Sequence, residues 1–137
     1  MRNMTQAFLL ALLLAPWSGA QADAAGDICE SLRAARIHLI ALMGATNPRT
    51  LDNHAARLHA ASDLLDARLT AMRQGRDARD AARAEEFEPV WHAFKETRET
   101  GILPAVQAGD VAVARDIALG IQAERMQAMR SIMGCAR

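Results

Sequence analysis

The chain has 137 residues, with 16 basic and 16 acidic side chains, so its formal charge is zero. Such a balance gives no electrostatic reason to bind nucleic acid or an anionic membrane surface, and neither is expected as a partner. The chain is too short for several domains. The absence of tyrosine, the four prolines and the abundance of Ala, Leu, Arg, Glu, Asp and Met favour helix over strand.

The first element is a short apolar run, Phe8 to Trp17, which follows Arg2 and precedes the small-residue segment Ser18-Gly19-Ala20-Gln21-Ala22-Asp23-Ala24. It is roughly half of the ~20 apolar residues that a spanning helix requires. Nothing downstream supplies a second apolar stretch of that length. The pattern reads as a secretory signal peptide over residues 1–22, with A-x-A cleavage sites after Ala22 or after Ala24. The first of these removes Arg2 with the leader and leaves one acid in excess. Residues 23–137 then form one domain with room for a real core and no membrane span. A Gram-negative periplasm is the expected destination, with full secretion as the alternative.

Cys29 and Cys135 stand near the two ends of that domain. An exported chain with two cysteines usually pairs them, which predicts an end-to-end disulfide; an intermolecular bridge or two free thiols are the alternatives.

Asn47-Pro48, Gln74-Gly75 and Ala108-Gly109-Asp110 punctuate the rest into helical segments of roughly 27–45, 51–73, 79–107 and 110–134. In the first, Ile28, Leu32, Ala35, Leu39 and Leu42 share a face, with Glu30, Arg33 and Ile37 opposite. In the second the stripe is Leu51, Ala55, Leu58, Ser62, Leu65, Leu69 and Met72, and Asn47 or Thr50 can cap its start. Phe87, Val90, Trp91, Phe94, Gly101, Ile102 and Ala105 form the third stripe. Pro89 and Pro104 threaten that helix, which can be two pieces. The fourth stripe is Ala114, Ile117, Ala118, Ile121, Ala128, Met129 and Ile132. Four amphipathic helices with short connections predict an all-α, up-down-up-down antiparallel four-helix bundle. Cys29 lies about 17 residues before the first connection and Cys135 about 25 beyond the third. At ~1.5 Å per residue this leaves a mismatch on the order of 12 Å for the disulfide to absorb.

Phe87, Trp91, Phe94, Arg98 and Ile102-Leu103, followed by Ala108-Gly109-Asp110 and an Ala-rich helix through Ala112, Ala114, Ala118 and Gly120, resemble the second half of a known module. It is the four-helix-bundle sensory module that methyl-accepting chemotaxis receptors and sensor kinases hold outside the membrane. The Leu-rich segment from Cys29 to Met72 is compatible with its first half. The resemblance implies a free-standing sensory relative, because the flanking transmembrane helices and signalling segment of that family are missing. Any signal would pass through another protein, such as a membrane-bound partner. A weaker resemblance is to periplasmic four-helix b-type cytochromes, although the last helix holds no histidine. There a haem or copper site would have to combine His38 with Met126, Met129 and Met133, and His38 sits some 80° off the core stripe.

Arg98 falls within the third stripe and Arg125 between Ile121 and Ala128, where apolar side chains are expected. A guanidinium at such a place needs an acid, either on a ligand or within the protein. With Trp91, these arginines are the expected ligand-binding residues for a small anionic molecule, since Arg holds a carboxylate with two parallel hydrogen bonds. The alternative pairs Arg98 or Arg125 with an interior acid such as Glu124 or Asp66, or lets them snorkel. His54 and His59 are five apart and do not share a helical face, so no metal site is expected from them. Met43, Met72, Met126, Met129 and Met133 raise copper, but methionine is also the ordinary filler of helical cores. No nucleophile or acid–base arrangement is found, so the chain is expected not to be an enzyme and to carry no cofactor. Ile37, Leu64 and Leu119 would lie exposed and offer a homodimer face.

Overall fold

A computed structural model describes residues 23–136, and the signal-peptide reading of residues 1–22 lies outside them. The described residues are all-α: α1 (Ala24–Met43), α2 (Pro48–Gln74), α3 (Ala78–Thr97), a π-helical turn (Arg98–Ile102), α4 (Leu103–Gln107), α5 (Val111–Leu119) and α6 (Ile121–Met133). They form four helical arms: α1, α2, α3 continued through the π turn into α4, and α5 with α6. The main seams are α1 on α2, α2 on α3, α3 on α6 and α6 on α1. No helix among the described residues is long and apolar enough to cross a membrane.

The second, third and fourth arms begin where short polar side chains satisfy the first free backbone N–H groups, whereas Asp23 makes no side-chain cap for α1. Asn47 accepts from the Thr50 N–H at 2.9 Å, ahead of Pro48 in the first turn of α2. Asp77 accepts from the N–H groups of Arg79 and Asp80, and Asp110 from that of Val113. Gly134 ends α6 with φ +67°, a left-handed cap in which Cys135 N–H bonds the Arg130 carbonyl. Cys135 reaches Cys29 of α1, with their Cα atoms 5.6 Å apart. The disulfide closes a separation of 106 residues, worth about 4–5 kcal/mol in the chain-entropy account.

All five stripe residues of α1 are buried, as are Leu58, Ser62, Leu65, Leu69 and Met72 of α2. Phe87, Trp91 and Phe94 of α3 form an aromatic ladder, with Trp91 stacked on Phe94 at 5.6 Å between centroids. Pro89 does not break α3. It is exposed, as is Glu85 four residues earlier, so water can reach the carbonyl that proline leaves without a donor.

The third arm changes at Arg98–Ile102 instead. Pro104 cannot donate to the Thr100 carbonyl, and in an α-helix its ring would press against it. The chain widens into a π turn just before it, where Leu103 N–H bonds the Arg98 carbonyl five residues back.

The fourth arm departs furthest from its sequence reading. It is two helices, broken at Gly120 with φ −91° and ψ −112°, and the break resets the helical phase by one residue. Ile121 and Ala128, expected inside, are exposed; Gln122, Met126 and Met133 are buried in their place, while Met129 is buried as expected. Because this arm is not one straight rod, the length mismatch that stood against an intramolecular disulfide does not apply.

Candidate functional site

Two seams hold the chemistry. The first lies between α2 and the arm formed by α3 and the π turn. Trp91 is 1% exposed, and its indole N–H donates to Asp66 Oδ1 at 2.6 Å. Lys95, one turn along, bonds both oxygens of Asp66 at 2.8 and 2.7 Å and lies 5.4 Å from the Trp91 ring centroid. Asp66 thus receives an ammonium and an indole.

Arg98 is 2% exposed, as its place in the stripe implied. Its Nη1 donates to Ser62 Oγ at 2.7 Å, and that hydroxyl donates to the Leu58 carbonyl. Its Nε and Nη2 reach Glu99 Oε1 at 2.8 and 2.7 Å, and the same oxygen lies 3.0 Å from His59 Nε2. Burial alone would raise the Glu99 carboxyl. The hydrogen bonds from Arg98 and His59, with their charges, outweigh burial and hold it below its ordinary value of 4.5. The acid that compensates the buried guanidinium is therefore the next residue, not Asp66 or Glu124.

Arg125 is half-buried on α6 and points at α3. Its Nη1 donates to the Ala93 carbonyl, Thr97 Oγ1 and Gln122 Oε1 at 3.1, 2.6 and 3.1 Å. Gln122, 1% exposed, donates in turn to the Phe94 carbonyl at 2.8 Å. The polar groups of Trp91, Arg98 and Arg125 thus have protein partners on three different sets of atoms, and none of the three side chains lines either groove of the second seam.

The second seam lies between α1 and the α5–α6 arm, where the molecule carries a groove of about 790 Å³. Its cause is local. Ala118, Ala123 and Gly134 are too small to fill the space facing Arg36, Ile40 and Met43, which recur along one flank of α1. Leu39, Phe94, Gln122 and Met126 lie beneath. A volume of this size with an apolar lining and few polar groups suits a small molecule. A second groove of about 770 Å³ continues the seam toward the disulfide past Arg33 and Glu30, and shares Arg36, Ile40, Met126, Arg130 and Cys135 with the first.

No acidic side chain lines the first groove, whereas Arg36 and Arg130 do. Neither these two nor Arg33 makes an ion pair among the described residues; Arg130 donates to the Ala136 carbonyl. Arg125 touches this groove at one remove, through Gln122.

Of the histidines, His59 joins the Glu99 network, His92 is exposed, and His54 Nδ1 is buried without a hydrogen-bond partner on α2, away from the groove. His38 shares a flank of α1 with Ser31, seven residues earlier, and Ser31 accepts from Arg68 of α2. That flank faces away from Met126. Met129 and Met133 are core residues. No group of three or more His, Cys, Asp or Glu side chains suited to a metal occurs among the described residues.

Arg36, Ile40, Met43 and Arg130 have no place in a reading made of core stripes, because each flanks a stripe and looks like solvent-facing surface on its own helix. In comparisons with family models, curated proteins and solved structures, nothing matches this chain.

Proposed function

We propose that the protein is an exported, periplasmic up-down-up-down four-helix bundle that binds a small anionic molecule and reports its occupancy to a partner protein. It is a sensory or ligand-binding module, not an enzyme, and it is related in design to the extracytoplasmic bundle of chemotaxis receptors. The observation that carries the reading is the α1–α6 groove, with arginines and no carboxylate on its walls. The disulfide fits an oxidising compartment. Trp91 supports the site only through its stacking on Phe94 beneath the groove, Arg98 has no part in it, and Arg125 orients Gln122 at its floor.

Native mass spectrometry of the protein purified from the periplasm, followed by a thermal-shift screen of small carboxylates and phosphates, tests this. A retained anion is expected, or a screened one that raises Tm; at one hundred times Kd a ligand stabilises by about 2.7 kcal/mol. A haem or copper mass increment would favour the cofactor alternative. A bare protein that no member of the screen stabilises would remove the ligand-binding reading.

A further inference from the structure

We infer that the groove takes a single-chain anionic amphiphile, a medium-length acyl carboxylate, with its head between Arg36 and Arg130 and its tail toward Met43 and Leu119. The inference rests on the ligand-binding reading above and names the ligand class for it.

Polarity is graded along the seam. The arginines line both grooves and so stand where the two meet, together with Ile40 and Met126, and the apolar walls that belong to the first groove alone include Leu39, Met43 and Leu119. From Arg36 to Met43 this apolar stretch runs about 10 Å along α1. A small polar anion would leave that length wet. An uncharged lipid would leave the guanidiniums without a counter-charge. An acyl carboxylate satisfies both, because Arg takes the head with charge-assisted hydrogen bonds while apolar surface covers the tail.

Three further features agree. Ile40 and Leu119 are 54% and 71% exposed, an apolar cost that a tail would remove. Met43 and Met126 are flexible, polarisable walls that adapt to a chain without a fixed shape. Gln122, the buried amide beneath the groove, has both ends bonded to protein, so it presents no unsatisfied polar atom to the tail.

The test is titration of the oxidised, exported protein, labelled with ¹³C at methionine methyls, using decanoate, 1-decanol and decyltrimethylammonium below their micelle concentrations. Decanoate should shift the Met43 and Met126 signals and leave Met72, in the core on α2, unmoved. Decyltrimethylammonium should bind at least roughly tenfold more weakly than decanoate. Arg36→Gln lies on an exposed flank and should weaken decanoate roughly three- to tenfold while changing 1-decanol less than about twofold. Ala123→Phe, which fills the groove, should abolish both.

Unmoved Met43 and Met126 signals at saturating decanoate, or equal affinity for the acid and the ammonium, overturn the inference. Met43 and Met126 signals that shift with protein concentration would put a second copy in the groove and overturn it too. If decanoate fails but a small polar carboxylate binds, the ligand-binding reading survives and only the amphiphile falls. If nothing binds, both fall.

Discussion

The α2–α3 seam and the α1–α6 seam both carry arginines beside core stripes, and they treat them in opposite ways. On the first, Arg98 is buried and every contact is internal: Ser62 takes one end of the guanidinium and Glu99 the other. On the second, Arg36 stands over an apolar groove with no ion pair among the described residues. An arginine within a stripe is thus more a sign of architecture than of binding. An arginine on the flank of a stripe, facing a gap left by small residues, is the one with valence to spare.

The contrast can be broken most forcefully at the disulfide. Cys29→Ser with Cys135→Ser should lower stability by about 4–5 kcal/mol, read as the shift in guanidinium midpoint against the oxidised protein. Amide exchange should rise most along α1–α6 and least along α2–α3. Equal loss on both seams would mean that the bridge holds the whole molecule and not one seam.

Arg98→Ala comes next, at roughly 2–3 kcal/mol, because it removes a buried side chain and leaves the Ser62 hydroxyl short of a donor. Arg98→Met should cost about 1 kcal/mol less than Arg98→Ala, since it restores the packing but not the contacts to Ser62 and Glu99. Neither should change affinity at the groove. If both variants destabilise equally, the charge itself and not the packing holds the seam.

Asp66→Asn should cost about 1 kcal/mol, modest because Asp66 is 43% exposed. Lys95 loses its counter-charge while Trp91 keeps an oxygen acceptor. Trp91 fluorescence should therefore change little, and a large shift would show that the indole moved.

The smallest effect concerns pH. Glu99 has a lowered pKa in the folded protein, so its contribution is fully present above the ordinary value of 4.5 and is lost as pH falls through the folded value. Glu99 is 41% exposed, so the effect should stay below about 1 kcal/mol. Glu99→Gln should flatten the stability profile on the acid side of pH 4.5 and leave the neutral region parallel to wild type.

How far the sequence could be read follows from these elements. The α1 stripe was fully legible because a straight amphipathic helix keeps its phase. In the fourth arm the phase was lost at Gly120: a glycine can end one helix and begin another, and wheel counting has no means of seeing the reset. The burial of Arg98 was legible, but its partner was not. Adjacent residues on a helix face different ways, so Glu99 was passed over for the more distant Asp66 and Glu124. The groove was illegible for a further reason. It is a gap between helices, and gaps depend on what small residues such as Ala118 and Ala123 fail to fill, not on any pattern in one helix.

The bridge between Cys29 and Cys135 makes nearly the whole described chain a closed loop. A protease that cuts the exposed connection around Arg76 would open the ring without dividing the molecule. The two pieces, one ending and one beginning at the nick, would remain a single covalent body and re-form their contacts by a unimolecular, concentration-independent step. Only a reductant would turn that nick into a loss.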